Sequence, residues 1–343
     1  MGRIRYLGSK VRLKNAIVET LGQPSINSRF VDLFSGTGVV SEVAASKGWS
    51  VFANDILHAA TTLTTARLLS AEEVPFQNFG GYTKVVTELN NASLRKDFFL
   101  NEYSPVGINA ANATRVYFSP ENAMKIDGMR FAIKTWFENG LINFNEKQLL
   151  LADLIEATNQ IANIAGTYGF YLKELGDSAL RPILILERKL QSILRAWEVT
   201  NLDAFQVRVN PDDVVYADPP YTKRQYAAYY HILETIACED EPVVSGKTGL
   251  RPWETKSSIF CYKLKAPGAL QNLLTNLNCK RILLSYNSEG HIGVEELFSI
   301  VRQIGDVNII RFEKFGRYDP NKKARGNVKT LDLTEYLIDI NCT

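Results

Sequence analysis

The sequence predicts an α/β protein with a doubly wound, mostly parallel sheet, an antiparallel hairpin at one sheet edge, and a largely helical insertion. Residues 29–34 and 50–53 are short β-rich runs, and a glycine turn followed by a helical stretch at residues 39–47 separates them. A strand–helix–strand order of this kind forms parallel strand pairs through a right-handed crossover. Farther along the chain, strand-like runs return and end close to Asp203, Asp218 and Asn287.

The remaining elements are predicted from hydrophobic periodicity and stop signals. Apolar residues from position 11 to 21 recur at helical spacing and stop at Gly22 and Pro24, which predicts an amino-terminal helix. Between residues 71 and 195 the strand–helix alternation lapses. Ser119-Pro120 begins one helix there, and residues 146–164 form another. Later strands are expected at residues 197–202, 214–217, 281–286, 307–312 and 331–340, the last two forming the hairpin. The sheet domain is therefore assigned to residues 1–70 and 196–343, and the insertion to residues 71–195.

Composition excludes several classes of protein. Hydrophobic residues make up 45% and charged residues 22% of the 343 positions, unlike a disordered chain. No apolar run approaches the roughly 18 residues of a membrane-spanning helix, and the basic amino terminus lacks a signal-peptide core, so a cytoplasmic protein is expected. The 4 cysteines form no CxxC pair, which argues against a disulfide framework or structural zinc. The 39 basic and 37 acidic residues nearly cancel, so contacts to nucleic acid would come from local patches.

Asp32, Phe34, Gly36 and Gly38 belong to a predicted strand-to-helix turn. Glycines there let a ligand approach the backbone and the helix N-terminus, although a tight turn alone also requires them. A dinucleotide site is a further interpretation, because the acid Asp55 ends the next strand and would bind ribose hydroxyls. A serine stands where that motif has its third glycine. The turn therefore predicts a nucleoside-type ligand without choosing the cofactor.

The segment Asp218-Pro219-Pro220-Tyr221 directly follows a predicted strand. Two prolines cannot continue a central strand, so the chain breaks at the carboxyl edge of the sheet, where open α/β sheets bind their ligands. Proline pairs also end many strands without a function, and Tyr221 could simply pack. A carboxylate, a stiffened backbone carbonyl and an aromatic ring nevertheless suit a planar ring with an amino group, which they would bind by hydrogen bonds and stacking.

Together these motifs resemble the D12-class adenine-N6 DNA methyltransferases of the alpha group, in which the cofactor motif precedes the DPPY motif. The resemblance covers most of the chain and includes Tyr6-Leu7-Gly8-Ser9-Lys10, Asp203-Ala204-Phe205 and Leu284-Ser285-Tyr286-Asn287. Within this family the sequence is most similar to the amino-terminal half of FokI-type modification methylases. Arg224-Gln225-Tyr226 and residues 166–169, 230–235 and 246–251 carry this narrower similarity. The sequence has one set of these motifs, whereas the FokI-type enzymes have two.

The resemblance implies a seven-stranded methyltransferase sheet and a site-specific enzyme that uses S-adenosylmethionine to methylate the N6 amino group of a flipped-out adenine in duplex DNA. It implies double-stranded DNA as partner and a functional pairing with the nuclease of a type II, type IIS restriction-modification system, without metal or membrane. The insertion at residues 71–195 is expected to contribute to target recognition. The implied catalytic residues are Asp218, Pro219, Pro220 and Tyr221, and the implied cofactor-binding residues are Tyr6, Lys10, Asp32, Phe34, Gly36, Gly38, Asp55, Asp203 and Phe205.

Basic residues near the predicted hairpin are the expected DNA contacts, since six cations stand against Asp319 alone between residues 314 and 329. Such a run is usually a solvated surface, but next to a catalytic edge the DNA phosphates are its natural partner. His231, on a helix predicted over residues 226–236, could accept the released proton, but a lone helical histidine is more often structural. The expected DNA-binding residues are Arg224, Lys314, Arg317, Lys322, Lys323, Arg325 and Lys329.

Two other functions remain open at this point. The DPPY chemistry does not itself distinguish sugars, so an amino-methylase of structured RNA is one alternative, which the FokI-like segments disfavour. A nucleic-acid-binding module that kept the fold and lost turnover is another. The intact Asp218–Tyr221 and Asp32–Gly38 segments argue against it.

Overall fold

The structure is a computed structural model that describes residues 5–8, 10–109, 111–192, 196–312 and 334–342. Seven strands form one sheet. They are Arg29–Asp32 (β1), Ser50–Asn54 (β2), Trp197–Thr200 (β3), Val214–Ala217 (β4), Arg281–Asn287 (β5), Gly305–Phe312 (β6) and Glu335–Cys342 (β7).

The order of the strands across the sheet is β3-β2-β1-β4-β5-β7-β6. The first five strands of this order run parallel, and β7 pairs antiparallel with both β5 and β6. The predicted fold class, a mostly parallel seven-stranded sheet with an antiparallel pair at one edge, is confirmed. Because β1 lies between β2 and β4, the chain reverses its direction of progress at β1, and the carboxyl edge next to β1 is where such sheets bind ligands.

Twelve α-helices are present in the described residues. They are Lys14–Leu21 (α1), Val39–Ser46 (α2), His58–Leu68 (α3), Tyr82–Asn90 (α4), Phe98–Tyr103 (α5), Pro120–Glu138 (α6), Phe144–Ile161 (α7), Asp177–Leu180 (α8), Tyr226–Tyr229 (α9), His231–Cys238 (α10), Ala266–Thr275 (α11) and Val294–Val301 (α12). Short 3₁₀ turns occur at Lys10–Arg12, Gln77–Phe79, Ala204–Gln206, Glu254–Lys256 and Ile259–Cys261. None of these helices combines the length and the apolar composition that crossing a membrane requires.

The chain forms two compact units, each assembled from separate segments. The sheet unit comprises Ser9–Ile56, Ile193–Gln225 and Lys256–Thr343, and it contains all seven strands. The helical unit comprises Met1–Gly8, Leu57–Ser192 and Tyr226–Thr255.

The central strands of the sheet unit are apolar on both faces, as buried parallel strands require. Val31, Val215 and Ile282 belong to a hydrophobic cluster that also contains Leu270 of α11 and Leu297 of α12. Residues that alternate with these point to the opposite face. The rings of Phe30 and Tyr216 stack there with centroids 6.2 Å apart, and the edge of Trp49 meets Phe30. A parallel sheet covered on both faces holds its strand ends rigidly, and these ends carry the candidate site.

The helical unit packs α3, α7 and α10 together and α6 against α5 and α7. Two of its long helices begin with side-chain caps. Ser119 accepts a hydrogen bond from the Asn122 N–H ahead of Pro120 at the first position of α6, as the sequence predicts. Asn143 and Glu146 form a reciprocal capping box at α7. These caps satisfy backbone N–H groups that a helix cannot pair internally.

The helix predicted over residues 226–236 is in fact two helices, because α9 ends and α10 begins on either side of Tyr230. Tyr230 has φ −119° and ψ 23°, outside helical geometry. Its hydroxyl accepts a hydrogen bond from the Leu7 N–H at 2.7 Å, and its ring stacks on Tyr6 with centroids 4.4 Å apart. Contacts to a segment more than two hundred residues earlier therefore accompany the break, and helical periodicity does not reveal them.

Candidate active site

The turn between β1 and α2 has the backbone geometry that only glycine adopts easily. Gly36 has φ 53° and Gly38 has φ 73°, both in the left-handed region. Asp32, the last residue of β1, is buried, and its Oδ2 accepts a hydrogen bond from Ser41 Oγ at 2.7 Å. Within the described residues, Asp32 Oδ1 has no hydrogen-bond partner. A buried carboxylate oxygen without a partner at this edge is suited to a donor from a ligand.

Asp55 follows the end of β2 and closes over the glycine turn. Its Oδ2 accepts a hydrogen bond from the Gly36 N–H at 2.9 Å. Its backbone carbonyl accepts one from Asn201 Nδ2 at 2.7 Å. Asp55 is thus held at the ends of β1, β2 and β3, by its carboxylate at Gly36 and by its backbone at Asn201.

The residue before it, Asn54, is a buried connection among three strand ends. Its Oδ1 accepts from Thr200 Oγ1 at 2.9 Å and from the Leu202 N–H at 3.0 Å. Its Nδ2 donates to the Leu33 carbonyl at 3.2 Å and to the Leu202 carbonyl at 3.1 Å. All of its amide groups are used, so Asn54 sets the spacing of the loops that carry Asp55 and Asp203.

Three phenylalanines form an aromatic wall beside the glycine turn. Phe205 and Phe260 are parallel, with centroids 5.8 Å apart and planes 2° apart, and Phe34 meets the edge of Phe260 at 5.7 Å. Asp203 Oδ1 accepts from the Phe205 N–H at 3.0 Å and so orients this loop. Phe205 is 38% exposed. The wall therefore presents an accessible ring face to a planar ligand.

Asp218, the first residue after β4, contacts a buried lysine. Lys10 Nζ lies 3.2 Å from Asp218 Oδ1 and 3.3 Å from Glu335 Oε2, and it lies 5.4 Å from the centroid of the Tyr221 ring. The Lys10 side chain is 6% exposed and that of Asp218 14%. Asn287 Nδ2 donates to Glu335 Oε1 at 3.4 Å. The Lys10 ammonium thus forms ion pairs with two carboxylates, and part of the Asp218 side chain stays accessible.

Burial dominates the electrostatics of this group. Desolvation raises the pKa of Asp218 to about 6, because the nearby Lys10 charge only partly offsets it. Desolvation also raises the pKa of Asp32 to about 7, against the hydrogen bond from Ser41, and the charges of Asp218 and Asp55 add to the rise. For Lys10, desolvation acts to lower the pKa, but Asp218, Tyr221 and Glu335 outweigh it and hold the pKa above its ordinary value. Lys10 is therefore a permanent cation at neutral pH.

Tyr221 is half-buried and held on two sides. Its carbonyl accepts a hydrogen bond from the His291 N–H at 2.8 Å. The rings of Tyr221 and Tyr286 meet edge to face, with centroids 5.5 Å apart. The two prolines before it have no N–H to donate, so the Asp218-to-Tyr221 segment is a stiff loop whose ring is fixed relative to the carboxylate.

The predicted site residues divide between the two units. The sheet unit brings Lys10, Asp32, Phe34, Gly36, Gly38, Asp55, Asp203, Phe205 and Asp218–Tyr221 to one edge of the sheet. Tyr6 belongs to the helical unit, where it stacks on Tyr230. Arg224 is exposed, and its carbonyl accepts from Cys261 Sγ at 3.3 Å. The predicted DNA-binding residues Lys314, Arg317, Lys322, Lys323, Arg325 and Lys329 lie outside the described residues.

His231 is a buried residue of the helical unit. It is fully enclosed, and its Nε2 lies 3.2 Å from the Tyr168 carbonyl, where a neutral ring donates. The edges of its ring meet Tyr103 and Tyr117. Burial lowers the pKa of His231 to about 3, so it stays neutral at physiological pH. These contacts support the structural interpretation over the proton-acceptor one.

His58, Glu234 and Cys238 each place one potential metal ligand atom within 4.8 Å of the others. Both carboxylate oxygens of Glu234 already accept backbone N–H bonds at the start of α3, from His58 at 3.0 Å and from Ala59 at 2.9 Å. A carboxylate at a helix N-terminus is stabilised by unpaired N–H groups and by the helix dipole. Glu234 therefore acts as a cap for α3.

Three contributors to the site escape the sequence interpretation: Asn54, Phe260 and Glu335. Asn54 looks like an ordinary strand end, and Phe260 lies in a segment with no recognisable motif. Glu335 is the first residue of β7 and pairs with Asn287, the last residue of β5. Because β7 is antiparallel, its beginning lies at the edge where the parallel strands end. An acidic residue at the start of an apolar strand was the available signal for Glu335.

The strand order, the glycine turn with an acid at the next strand end, and the DPPY loop after β4 define a methyltransferase of the α/β type. The chain belongs to the D12 class N6 adenine-specific DNA methyltransferase family, whose model matches residues 6–300. It is similar to the type II methyltransferase M.FokI of Planomicrobium okeanokoites, with 35% identity over 98% of this chain and 52% of that protein. The modification methylase LlaI of Lactococcus lactis subsp. lactis is 32% identical over 96% of this chain and 54% of its own length. The type II methyltransferase M.NlaIII of Neisseria lactamica is 31% identical over 97% of this chain and 98% of its own length.

The chain thus spans about half the length of M.FokI and LlaI. Its match to M.NlaIII runs almost from end to end of both proteins. The family is therefore established over nearly the whole chain.

Proposed function

We propose that this protein transfers a methyl group from S-adenosylmethionine to the N6 amino group of an adenine flipped out of duplex DNA, at a specific sequence. The observation that carries the proposal is the loop Asp218–Tyr221. It places a carboxylate that is mostly buried, but still partly accessible, next to a fixed aromatic ring. Membership of a family of N6 adenine-specific DNA methyltransferases supports the same reaction. As a modification enzyme it would act in the cytoplasm alongside the restriction endonuclease of a type II system, of the type IIS subclass.

The sheet unit fits an adenosine-containing methyl donor. Asp32 Oδ1 is buried and has no hydrogen-bond partner in the described chain, and two left-handed glycines leave the turn open to a ligand. Asp55 would bind the ribose hydroxyls, and the aromatic wall of Phe205, with Asp203 beside it, would bind the adenine ring. S-adenosylmethionine supplies an electrophilic methyl group when bound. Tyr6 and Phe34 are also proposed to bind the cofactor, because they belong to the segments that resemble the cofactor motifs of the family.

Asp218 is the residue proposed to act on the target amino group. The adenine amino nitrogen is a poor nucleophile because its lone pair is delocalised into the ring. Hydrogen bonds to the Asp218 carboxylate and the Pro219 carbonyl would pull the group toward tetrahedral geometry and stabilise the positive charge that develops on nitrogen. Asp218 is then also the acceptor within reach of the proton that the amino group must release. Lys10 keeps this carboxylate ionised and oriented.

Tyr221 is proposed to stack on the flipped base. Removing a base from the duplex costs a few kcal/mol of stacking and pairing, and stacking on an aromatic ring returns about 1–3 kcal/mol. The His291 N–H holds the Tyr221 backbone and the Tyr286 ring packs against the Tyr221 ring, so little side-chain entropy is lost on stacking.

The helical unit is proposed to recognise the target sequence. It has a groove of about 470 Å³ lined by Ala111, Asn112, Ala113, Thr114, Tyr171, Gly246 and Lys247. Phe170 is 53% exposed and stacks on Tyr171, and Lys247 lies 5.6 Å from the Phe170 ring. Amide, hydroxyl and cationic groups next to exposed rings are the side chains with which proteins contact bases and phosphates.

The reaction is tested by incubating the protein with labelled S-adenosylmethionine and either duplex DNA or structured RNA. Digested nucleosides are then identified by mass spectrometry. We expect N6-methyladenine from duplex DNA alone. N4-methylcytosine in the DNA, or more label transferred to RNA than to DNA, would contradict the assignment of adenine in duplex DNA as the substrate.

Replacing Asp55 with alanine should weaken S-adenosylmethionine binding by about ten- to a hundred-fold, because the ribose would lose a charged acceptor worth about 1.5–3 kcal/mol. Titration calorimetry measures the affinity. Asp306→Ala, which removes an exposed carboxylate from β6, is the matched control and should leave the affinity unchanged. Equal affinities for the Asp55→Ala protein and the wild type would remove Asp55 from the cofactor site.

A further inference from the structure

A segment of the sheet unit that no motif identifies lies against Arg224 and Gln225, which follow the DPPY loop Asp218–Tyr221. It runs from residue 256 to 265, between the helical unit and α11 in the sequence. Gln225 and Ser258 exchange two hydrogen bonds, with Gln225 Nε2 to the Ser258 carbonyl at 3.0 Å and the Ser258 N–H to Gln225 Oε1 at 2.8 Å. This amide pair joins the segment to the loop only four residues after Tyr221.

The second half of the segment is joined to the same loop by Cys261. Its Sγ donates to the Arg224 carbonyl at 3.3 Å. Its carbonyl lies 3.1 Å from His291 Nε2, and the His291 N–H donates to the Tyr221 carbonyl at 2.8 Å. Phe260, one residue before, is buried in the aromatic wall with Phe34 and Phe205. The segment is therefore fixed to the site at Ser258, Phe260 and Cys261.

Beyond Cys261 the chain turns outward. Leu264 is 96% exposed and Tyr262 46%, and Lys263 and Lys265 on either side of Leu264 are exposed as well. Backbone bonds from the Lys265 N–H and the Ala266 N–H to the Tyr262 carbonyl, both 2.9 Å, hold the turn. Among the large hydrophobic side chains of the described residues, Leu264 is the most exposed, so its whole surface is available to a binding partner.

The sequence around this turn carries only positive charge. From residue 255 to 288 the sequence contains no Asp or Glu, and the exposed cations Lys223 and Arg224 follow the DPPY loop. The ammonium of Lys265 lies 5.4 Å from the centroid of the Tyr262 ring, and Lys265 is exposed. A cationic rim around an apolar tip complements the phosphate backbone and the stacked bases of a duplex.

We propose that residues 262–265 form a DNA-contacting wedge, in which Leu264 packs into the base stack next to the flipped adenine and Lys263 and Lys265 contact the flanking phosphates. The proposal rests on the proposed function, because it assigns a further contact to the same substrate. Proteins that distort DNA commonly insert an apolar side chain between base steps and hold it there with cations. Leu264 would fill space that the base leaves and so oppose its return to the helix.

The wedge is tested with Leu264→Ala in single-turnover methylation, with enzyme in excess. One duplex carries the target adenine paired with thymine, and a second carries it opposite an abasic site, where flipping is cheaper. We expect the variant to be slower by about ten-fold or more on the paired duplex and close to wild type on the other. Ile26→Ala, at a position 91% exposed before β1, is the matched control and should match wild type on both duplexes.

Lys263→Ala with Lys265→Ala should weaken binding to all duplexes alike and reduce the slope of log affinity against log salt by about 2, one for each lost phosphate contact. Lys280→Ala, an exposed lysine before β5, is the control. An Leu264→Ala protein equal to wild type on the paired duplex, or equally slow on both duplexes, would overturn the wedge while leaving methylation established. A wild-type protein that methylates neither duplex would overturn the proposed function and the wedge together.

Discussion

Replacing Asp218 with alanine is expected to lower the methyl-transfer rate by about 10²–10³-fold or more while S-adenosylmethionine and DNA still bind. The carboxylate is proposed to hold the amino group and to stabilise the positive charge that appears on nitrogen only during transfer. Its loss therefore acts on the transition state more than on the bound substrates. The fold should tolerate the change, because Lys10 keeps its second partner, Glu335, at 3.3 Å.

The same assignment predicts a pH dependence. The pKa of Asp218 is raised to about 6 by burial. The active form is the carboxylate, so the single-turnover rate of the wild type should fall as the pH drops through about 6 and level off above it. A group with an ordinary aspartate pKa would place this limb nearer pH 4.

Single-turnover rates and calorimetric affinities for both ligands provide the measurements. Asp212→Ala is the matched control, since Asp212 is an exposed acid just before the opposite end of the same strand, β4. It should keep the wild-type rate. Near-normal turnover by the Asp218→Ala protein would contradict the mechanism, and loss of cofactor binding in step with the rate would make Asp218 a cofactor residue instead.

Replacing Lys10 with methionine should destabilise the fold by about 3 kcal/mol, because it leaves the carboxylates of Asp218 and Glu335 buried together without their cation. Methionine preserves most of the volume of the lysine stem, so the loss reports the charge. Denaturant unfolding gives the free energy. Lys47→Met, at an exposed position after α2, should cost less than about 1 kcal/mol.

The loss of stability caused by Lys10→Met should become smaller as the pH falls. In the folded variant the pKa of Asp218 rises further above its unfolded value, since the charge that opposed desolvation is gone. An ionised Asp218 then opposes folding at high pH, and protonation relieves it. The stability deficit should therefore shrink as the pH is lowered from about 8 towards 5, and the acid limb of activity should move to higher pH. A deficit that is independent of pH would mean that Lys10 stabilises the fold by packing.

The parts of this protein that could be predicted from the sequence are those where the local chain chemistry has one structural solution. Glycines at positions 36 and 38 require a left-handed turn after β1, and they have it. The proline pair at positions 219 and 220 ends β4 at Ala217, as predicted. Apolar periodicity and polar strand ends were enough to predict a mostly parallel sheet with an antiparallel edge pair.

Contacts between distant segments were decided by the tertiary structure alone. Glu335 reaches Lys10 because antiparallel pairing with β5 brings the beginning of β7 to the edge where the parallel strands end. Phe260 reaches Phe205 through a loop without a motif, and Tyr230 interrupts a helical pattern next to Tyr6. Local propensity determines which element forms, but strand order and register determine which side chains meet, and both depend on packing across the whole sheet.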